Sequence, residues 1–354
     1  MLLESALELQ ARIFSTIFNF VELPATEGME TGLPGLFLDP YLLETKTARP
    51  RKATRKREAE DIALGVSRAD KGEAQLAVLV QSRNKIQSRV VEQIVESARG
   101  EAEVLYIGRQ KPLWTTVRND PIRLGVSISP TTVAYAGTLG CFCRDGISGR
   151  DGILSNNHVL ADVNNVPIGT TIMQPGARDR GKAENDVIAE LLRFVPVQFG
   201  GAPNMVDCAF AALTDHGRAE DRHTLYDSSD VPQPAITMQP GQLAEAVPGM
   251  SVFKTGRTTR HTQGRIRAVN VNNYLVDMGV GVARFDGQIA IEMDMSPAQP
   301  FSRPGDSGSL IVDEEGRPVG LLFAGSASGG PGNVGITGAN PISSVTSQLG
   351  VTLI

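Results

Sequence analysis

From Arg123 to its last residue, the chain breaks its apolar residues into short runs separated by Gly, Pro, Asn and Asp. Gly137-Thr138-Leu139-Gly140-Cys141-Phe142, Gly264-Arg265-Ile266-Arg267-Ala268-Val269 and Leu310-Ile311-Val312 are examples. Each run suits one strand, and the residues between them are those that tight turns demand. The pattern predicts an all-β barrel or sandwich. No internal repeat of solenoid length is present.

The preceding segment reads differently. Residues 1–20 predict one amphipathic helix, with Leu3, Leu7, Phe14, Ile17 and Phe18 near helical spacing. Residues 21–59 read as a linker that turns strongly basic from Lys46 to Arg57. That run is open to three readings: a nucleic-acid contact, a processing site, or a solvated tether, the last being preferred. Residues 60–111 predict a small α/β unit. Its strands are Ile62–Val66, Gln75–Val80 and Glu103–Ile107, and its helix is Ser88–Ala98, with Val90, Val91, Ile94 and Val95 on one face. The expected domains are therefore 1–59, 60–111 and 112–354, consistent with the two or so domains that 354 residues suggest.

Within the strand-rich part, Pro304-Gly305-Asp306-Ser307-Gly308-Ser309-Leu310 presents a serine between small residues on a tight turn. Glycine permits such a bend, and the amides of Gly305 and Ser307 can point at a developing oxyanion. A hydroxyl needs a base to become a nucleophile. Of the four histidines, His158 follows the apolar stretch Gly152-Ile153-Leu154 and is followed by Val159-Leu160, so packing can orient its ring. His216 and His223 read as loop residues and His261 as part of a hairpin. Asp207 is the single charge in Met205-Val206-Asp207-Cys208-Ala209-Phe210-Ala211-Ala212-Leu213. A carboxylate kept in an apolar run implies a partner, and His158 is the natural one. Asp186 is the competing candidate, in a wetter setting beside Lys182, Glu184 and Glu190.

The order His158, Asp207, Ser307 resembles that of the chymotrypsin-like (trypsin-like) serine proteases, from about Pro121 to the end. Phe253-Lys254-Thr255-Gly256-Arg257-Thr258-Thr259 is similar to a hairpin of secreted bacterial members. The resemblance implies two antiparallel Greek-key β-barrels after the N-terminal helix and α/β unit. It implies that Ser307 is nucleophile, His158 general base and Asp207 its orienter, with Gly305 and Ser307 as oxyanion donors. Leu322-Phe323-Ala324-Gly325 resembles the edge that pairs with substrate backbone. Phe301, Ser302 and Arg303, with Phe323, Ala324, Gly325 and Ser326, are expected to border the pocket for the residue before the cut. No carboxylate occurs there, so a taste for Lys or Arg is not implied; a small or apolar residue is expected. Two departures from the animal enzymes follow. Val159 stands where a bridging cysteine would be, and no Ile-Val-Gly-Gly-like start is visible near Pro121-Ile122. Asp306 then needs another cation, Lys254 first and Arg257 second.

The implied activity is that of a serine endopeptidase acting on protein or peptide substrates through an acyl-enzyme, without cofactor or metal. The alternative is a non-catalytic, protease-like peptide- or protein-binding module. A third reading keeps the protease but lets the N-terminal region bind a regulatory partner. Net charge −5 gives no global nucleic-acid signal. Three cysteines, Cys141, Cys143 and Cys208, argue against a disulfide scaffold. The first residues lack the basic start of a secretory signal, and no apolar run is long enough for a membrane span. Together these features predict a cytoplasmic protein.

Overall fold

The computed structural model describes residues 1–18, 61–68, 73–108, 113–294 and 300–354. The chain forms two compact units, Met1–Lys111 and Pro112–Ile354. The expected linker over 21–59, with its basic run, lies outside the described residues. No helix among the described residues is long and apolar enough to cross a membrane.

The first unit carries helix α1 (Leu3–Thr16), strands β1 (Ile62–Arg68) and β2 (Ala74–Val80), helix α2 (Arg89–Ser97) and strand β3 (Ala102–Tyr106). The strands form one sheet in the order β1-β2-β3, antiparallel then parallel. Ser88 caps α2 by accepting the Val91 N–H at 3.4 Å, as serine at that position should. Val90, Val91 and Ile94 are buried against the sheet. Helix α1 corrects the expected face in part, since Phe14, Ile17 and Phe18 do pack against this core. Ala6, Leu9 and Ile13 are buried, while Leu3 and Leu7 are exposed. Both sets have helical spacing, so spacing alone could not choose. The small Ala6 lies on the side that packs with the β1–β2 core.

The second unit contains β4 (Ser127–Pro130), β5 (Gly137–Thr138), β6 (Cys141–Asp145), β7 (Asp151–Ser155), helix α3 (Asn157–Leu160), β8 (Thr171–Met173), β9 (Val187–Phe194), β10 (Pro203–Asn204) and β11 (Ala209–Leu213). It continues with β12 (Thr224–Tyr226), β13 (Pro234–Thr237), β14 (Ser251–Gly256), β15 (Arg260–Val271), β16 (Tyr274–Asp277), β17 (Val282–Phe285) and β18 (Gln288–Met293). It ends with β19 (Leu310–Val312), β20 (Pro318–Gly325), β21 (Thr337–Pro341), helix α4 (Ile342–Leu349) and β22 (Val351–Leu353).

Two sheets dominate. One is a closed six-stranded barrel, β14-β15-β18-β21-β20-β19; the other is an eight-stranded sheet, β22-β6-β7-β11-β9-β8-β4-β5. The pairings within both are antiparallel. The strand-rich expectation holds. The eight-stranded sheet wraps the larger core, which includes Phe142, Ile153, Leu191 and Phe210. The closed barrel surrounds Val252, Ile266, Ile291, Ile311 and Leu322. Strand β19 belongs to both: Leu310 and Val312 join the first core and Ile311 the second. Alternating sides is what a strand does, and here it fixes the turn just before it between two packed bodies.

Candidate active site

His158 sits in α3, one short turn directly after β7. The two asparagines before it do separate work. Asn156 Nδ2 donates to the Asp207 carbonyl at 2.8 Å. Asn157 Nδ2 donates to the Val195 carbonyl at 2.8 Å and to Asn164 Oδ1 at 2.7 Å. Tyr135 Oη donates to the His158 carbonyl at 3.0 Å. Asp207 is fully buried just before β11. Its Oδ2 lies 2.5 Å from His158 Nδ1, and its Oδ1 accepts the His158 N–H at 3.1 Å. One carboxylate therefore sets both the ring and its backbone. Asp207's own N–H donates to Asn340 Oδ1 at 2.9 Å, and Asn340 Nδ2 donates to Gln288 Oε1 at 2.6 Å. The acid is thus tied to the closed barrel as well as to the imidazole. Asp186 is engaged elsewhere, with Arg118 at 3.0 Å and the Lys182 N–H at 2.7 Å.

The turn at 303–309 is held from several sides. Thr138 Oγ1 donates to the Gly305 carbonyl and Thr138 N–H to the Ser307 carbonyl, each at 2.8 Å. The Asp306 N–H is spent on the Arg303 carbonyl and the Gly308 N–H on the Leu322 carbonyl. Among the described residues, the Gly305 and Ser307 N–H groups donate to nothing. Gly305 has φ +99°, a left-handed backbone that suits glycine. An orphan amide pair beside a hydroxyl is an anion-stabilising arrangement.

Asp306 is buried and accepts four hydrogen bonds, from the N–H groups of Arg303, Thr258 and Thr259 and from Thr259 Oγ1, at 2.7–3.1 Å. Lys254 Nζ lies 3.4 Å from its Oδ2, both side chains being without solvent exposure. Burial pushes the Lys254 ammonium below the ordinary lysine range, and Asp306 counteracts this in part. Lys254 Nζ also donates to Thr259 Oγ1 and to the Arg260 carbonyl. Arg257, the second candidate partner, instead clasps Asp179 through two contacts of 2.6 Å.

His158 and Ser307 line one cleft of about 520 Å³. The Ser307 hydroxyl makes no hydrogen bond among the described residues. Of the residues expected to border a substrate pocket, Ser302, Arg303, Phe323, Ala324 and Gly325 line this cleft. Phe301 does not, which corrects that expectation. It is 3 % exposed in the closed-barrel core, its ring centroid 5.9 Å from Lys254 Nζ. A side chain needed to fill the barrel beneath a buried ammonium is unavailable to a cleft.

The fold is chymotrypsin-like. Two antiparallel β bodies, with the histidine and aspartate on the first and the serine on the second, meet that description. No protein-family model and no curated protein matches the sequence. Among solved structures, protease A of Thermobifida fusca is similar at 19% identity and a TM-score of 0.43, and a Nocardiopsis protease at 19% and 0.45. A Cellulomonas bogoriensis chymotrypsin is similar at 17% and 0.42. Each alignment covers 65% of this chain and 97% of the other. At those scores the likeness adds nothing to what strand order already states.

A further part of the cleft lining comes from a segment whose role has no local mark in the chain. Strands β16 and β17 form a hairpin inserted between β15 and β18 of the barrel, with β10 added parallel to β17. Tyr274, Leu275, Val276, Asp277 and Met278 come from it into the cleft lining. Phe323 wedges the hairpin against β20, its centroid 4.7 Å from Phe285 and 6.0 Å from Tyr274. Tyr274–Asp277 and Val282–Phe285, flanking Gly279 and Gly281, were a hairpin signal. Nothing local states that the hairpin folds toward His158.

Proposed function

We propose that this chain is a serine endopeptidase of the chymotrypsin-like family, with Ser307 as nucleophile, His158 as general base and Asp207 as orienter. One observation carries the reading: the 2.5 Å contact between His158 Nδ1 and buried Asp207, with His158 and Ser307 lining one cleft. With Nδ1 committed to the carboxylate, Nε2 is left to accept a proton. Ser307 Oγ attacks the scissile carbonyl as His158 takes its proton. The oxyanion accepts from the Gly305 and Ser307 N–H groups. His158 returns the proton to the leaving amine as the C–N bond breaks and the acyl-enzyme forms. Water, deprotonated by the same imidazole, then releases the acid and regenerates the hydroxyl. The Lys254–Asp306 pair supports a turn shaped without a newly cut N-terminus.

The non-catalytic reading has one observation in its favour: Ser307 Oγ is not hydrogen-bonded to His158. Hydrogen bonds of this kind often form fully only with substrate, so this one observation does not outweigh the rest. A fluorophosphonate probe separates the two. Labelling of the natural chain, lost in Ser307→Ala, is the expected result. Turnover of a peptide should fall by about four to six orders of magnitude in that variant. An unlabelled natural chain would leave the binding-module reading standing.

A cytoplasmic setting belongs to the same proposal and is supported by three buried free thiols, a state that reducing compartments preserve. A regulatory role for the N-terminal unit belongs to the same proposal.

A further inference from the structure

The cleft lining that holds Ser307 is largely apolar, with Leu322, Phe323 and Ala324 among it, and sets three side-chain donors, Arg303, Ser302 and Ser326, into that surface. Arg303 lies half-buried in the lining. Its main chain is fixed, with N–H donated to Asp306 Oδ2 at 2.9 Å and the carbonyl accepting the Asp306 N–H at 3.0 Å. Its guanidinium makes no hydrogen bond or ion pair among the described residues. Ser302 Oγ is 2.7 Å from Thr337 Oγ1, so this hydroxyl pair spends one proton and keeps one. Ser326 Oγ accepts the Ile336 N–H at 3.0 Å, leaving its own proton uncommitted. Asp277, the single carboxylate among the described lining residues, stands exposed on the hairpin and accepts the Gly279 N–H at 2.9 Å. It is not within ion-pair distance of Arg303.

We propose that Arg303 makes this cleft selective for an acidic side chain, Glu or Asp, at the residue before the scissile bond. The proposal rests on the endopeptidase reading. A guanidinium presents a fixed fork of N–H donors that matches a carboxylate with two parallel bonds. The two spare hydroxyl protons suit the same acceptor. An apolar residue would strip water from a cation and two hydroxyls and return no hydrogen bond, the kind of mismatch that sites reject most strongly. This inference replaces the small or apolar preference expected from the absence of an acid at these positions. The informative feature is the cation that is present.

The test uses full-length protein and fluorogenic peptides that differ only before the leaving group: Glu, Asp, Gln, Leu or Lys. The kcat/KM for Glu should exceed that for Gln by about 10- to 100-fold. The ratio should shrink when salt rises from about 0.05 M to about 0.5 M. Arg303→Leu should bring the ratio near one, and Arg303→Lys should retain part of it. If those variants do not fold, the natural chain's Glu-to-Gln ratio and its salt dependence decide alone. Equal rates for Glu and Gln, or a preference for Leu, would overturn the proposal. A preference for Lys would also overturn it and point to Asp277. A fluorophosphonate without a peptide side chain reports Ser307 separately. A labelled chain with no acid preference sinks this inference and leaves the endopeptidase standing; no labelling and no cleavage of any peptide sinks both.

Discussion

Gly308 has φ +94°, and a Cβ built there would sit 2.1 Å from Ser155 Oγ and 2.3 Å from the Thr138 carbonyl oxygen. Both are held: Ser155 Oγ donates to that same carbonyl at 2.7 Å. Gly308→Ala should therefore cost at least about 1–3 kcal/mol from backbone strain alone. It should also slow fluorophosphonate labelling, because relief of the clash must move the serine beside it. Urea denaturation and labelling rate, measured together, check this. The sequence was informative at this scale where chemistry is local. Gly-Asp-Ser-Gly announces a tight turn, and Asp207 stands out as a charge among apolar residues. It was silent on Asn340, which meets Asp207 from 133 residues away, because an asparagine in a strand has no local mark of its partner.

Among the elements, the C-terminal helix and strand illustrate how one ion pair joins distant pieces. Arg193 in β9 contacts Asp145 in β6 at 2.5 Å and donates from Nε to the Leu349 carbonyl, the last residue of α4, at 2.9 Å. Burial alone would raise the Asp145 carboxyl, but hydrogen bonds from Ser148 and Arg193 outweigh it and hold the group well below the usual range. Its native value is therefore lower than the unfolded one, near 3.9. The stabilisation is complete above about pH 4 and is lost as pH falls through the native value. The urea midpoint of the natural chain should fall in that acid range, and Asp145→Asn should start lower at neutral pH and fall less steeply. Arg193→Met leaves the buried Asp145 carboxylate its hydrogen bonds from Ser148 and should cost about 2 kcal/mol at pH 7. The strands themselves were legible from short runs and turn residues. The exposed Leu3 and Leu7 of α1 were not read correctly, because helical periodicity marks a stripe without saying which stripe meets a sheet.

For the whole molecule, the division at Lys111/Pro112 separates a unit with its own small core from the unit that holds the cleft. If the first unit regulates the second, removing residues 1–111 should change cleavage rate or peptide selectivity. Unchanged values for both, with labelling intact, would remove that role. The amino-acid sequence by itself determined the strand-rich class of the larger unit and the candidate residues His158, Asp207 and Ser307, because turn chemistry and a charge in an apolar run are properties of neighbours along the chain. Only the tertiary structure decided that Lys254 lies beside Asp306 while Arg257 turns to Asp179, that Phe301 fills the barrel, and that the 274–278 segment walls the cleft. Those choices depend on which surfaces the sheets leave to be filled once they have packed, and that geometry exists only after folding.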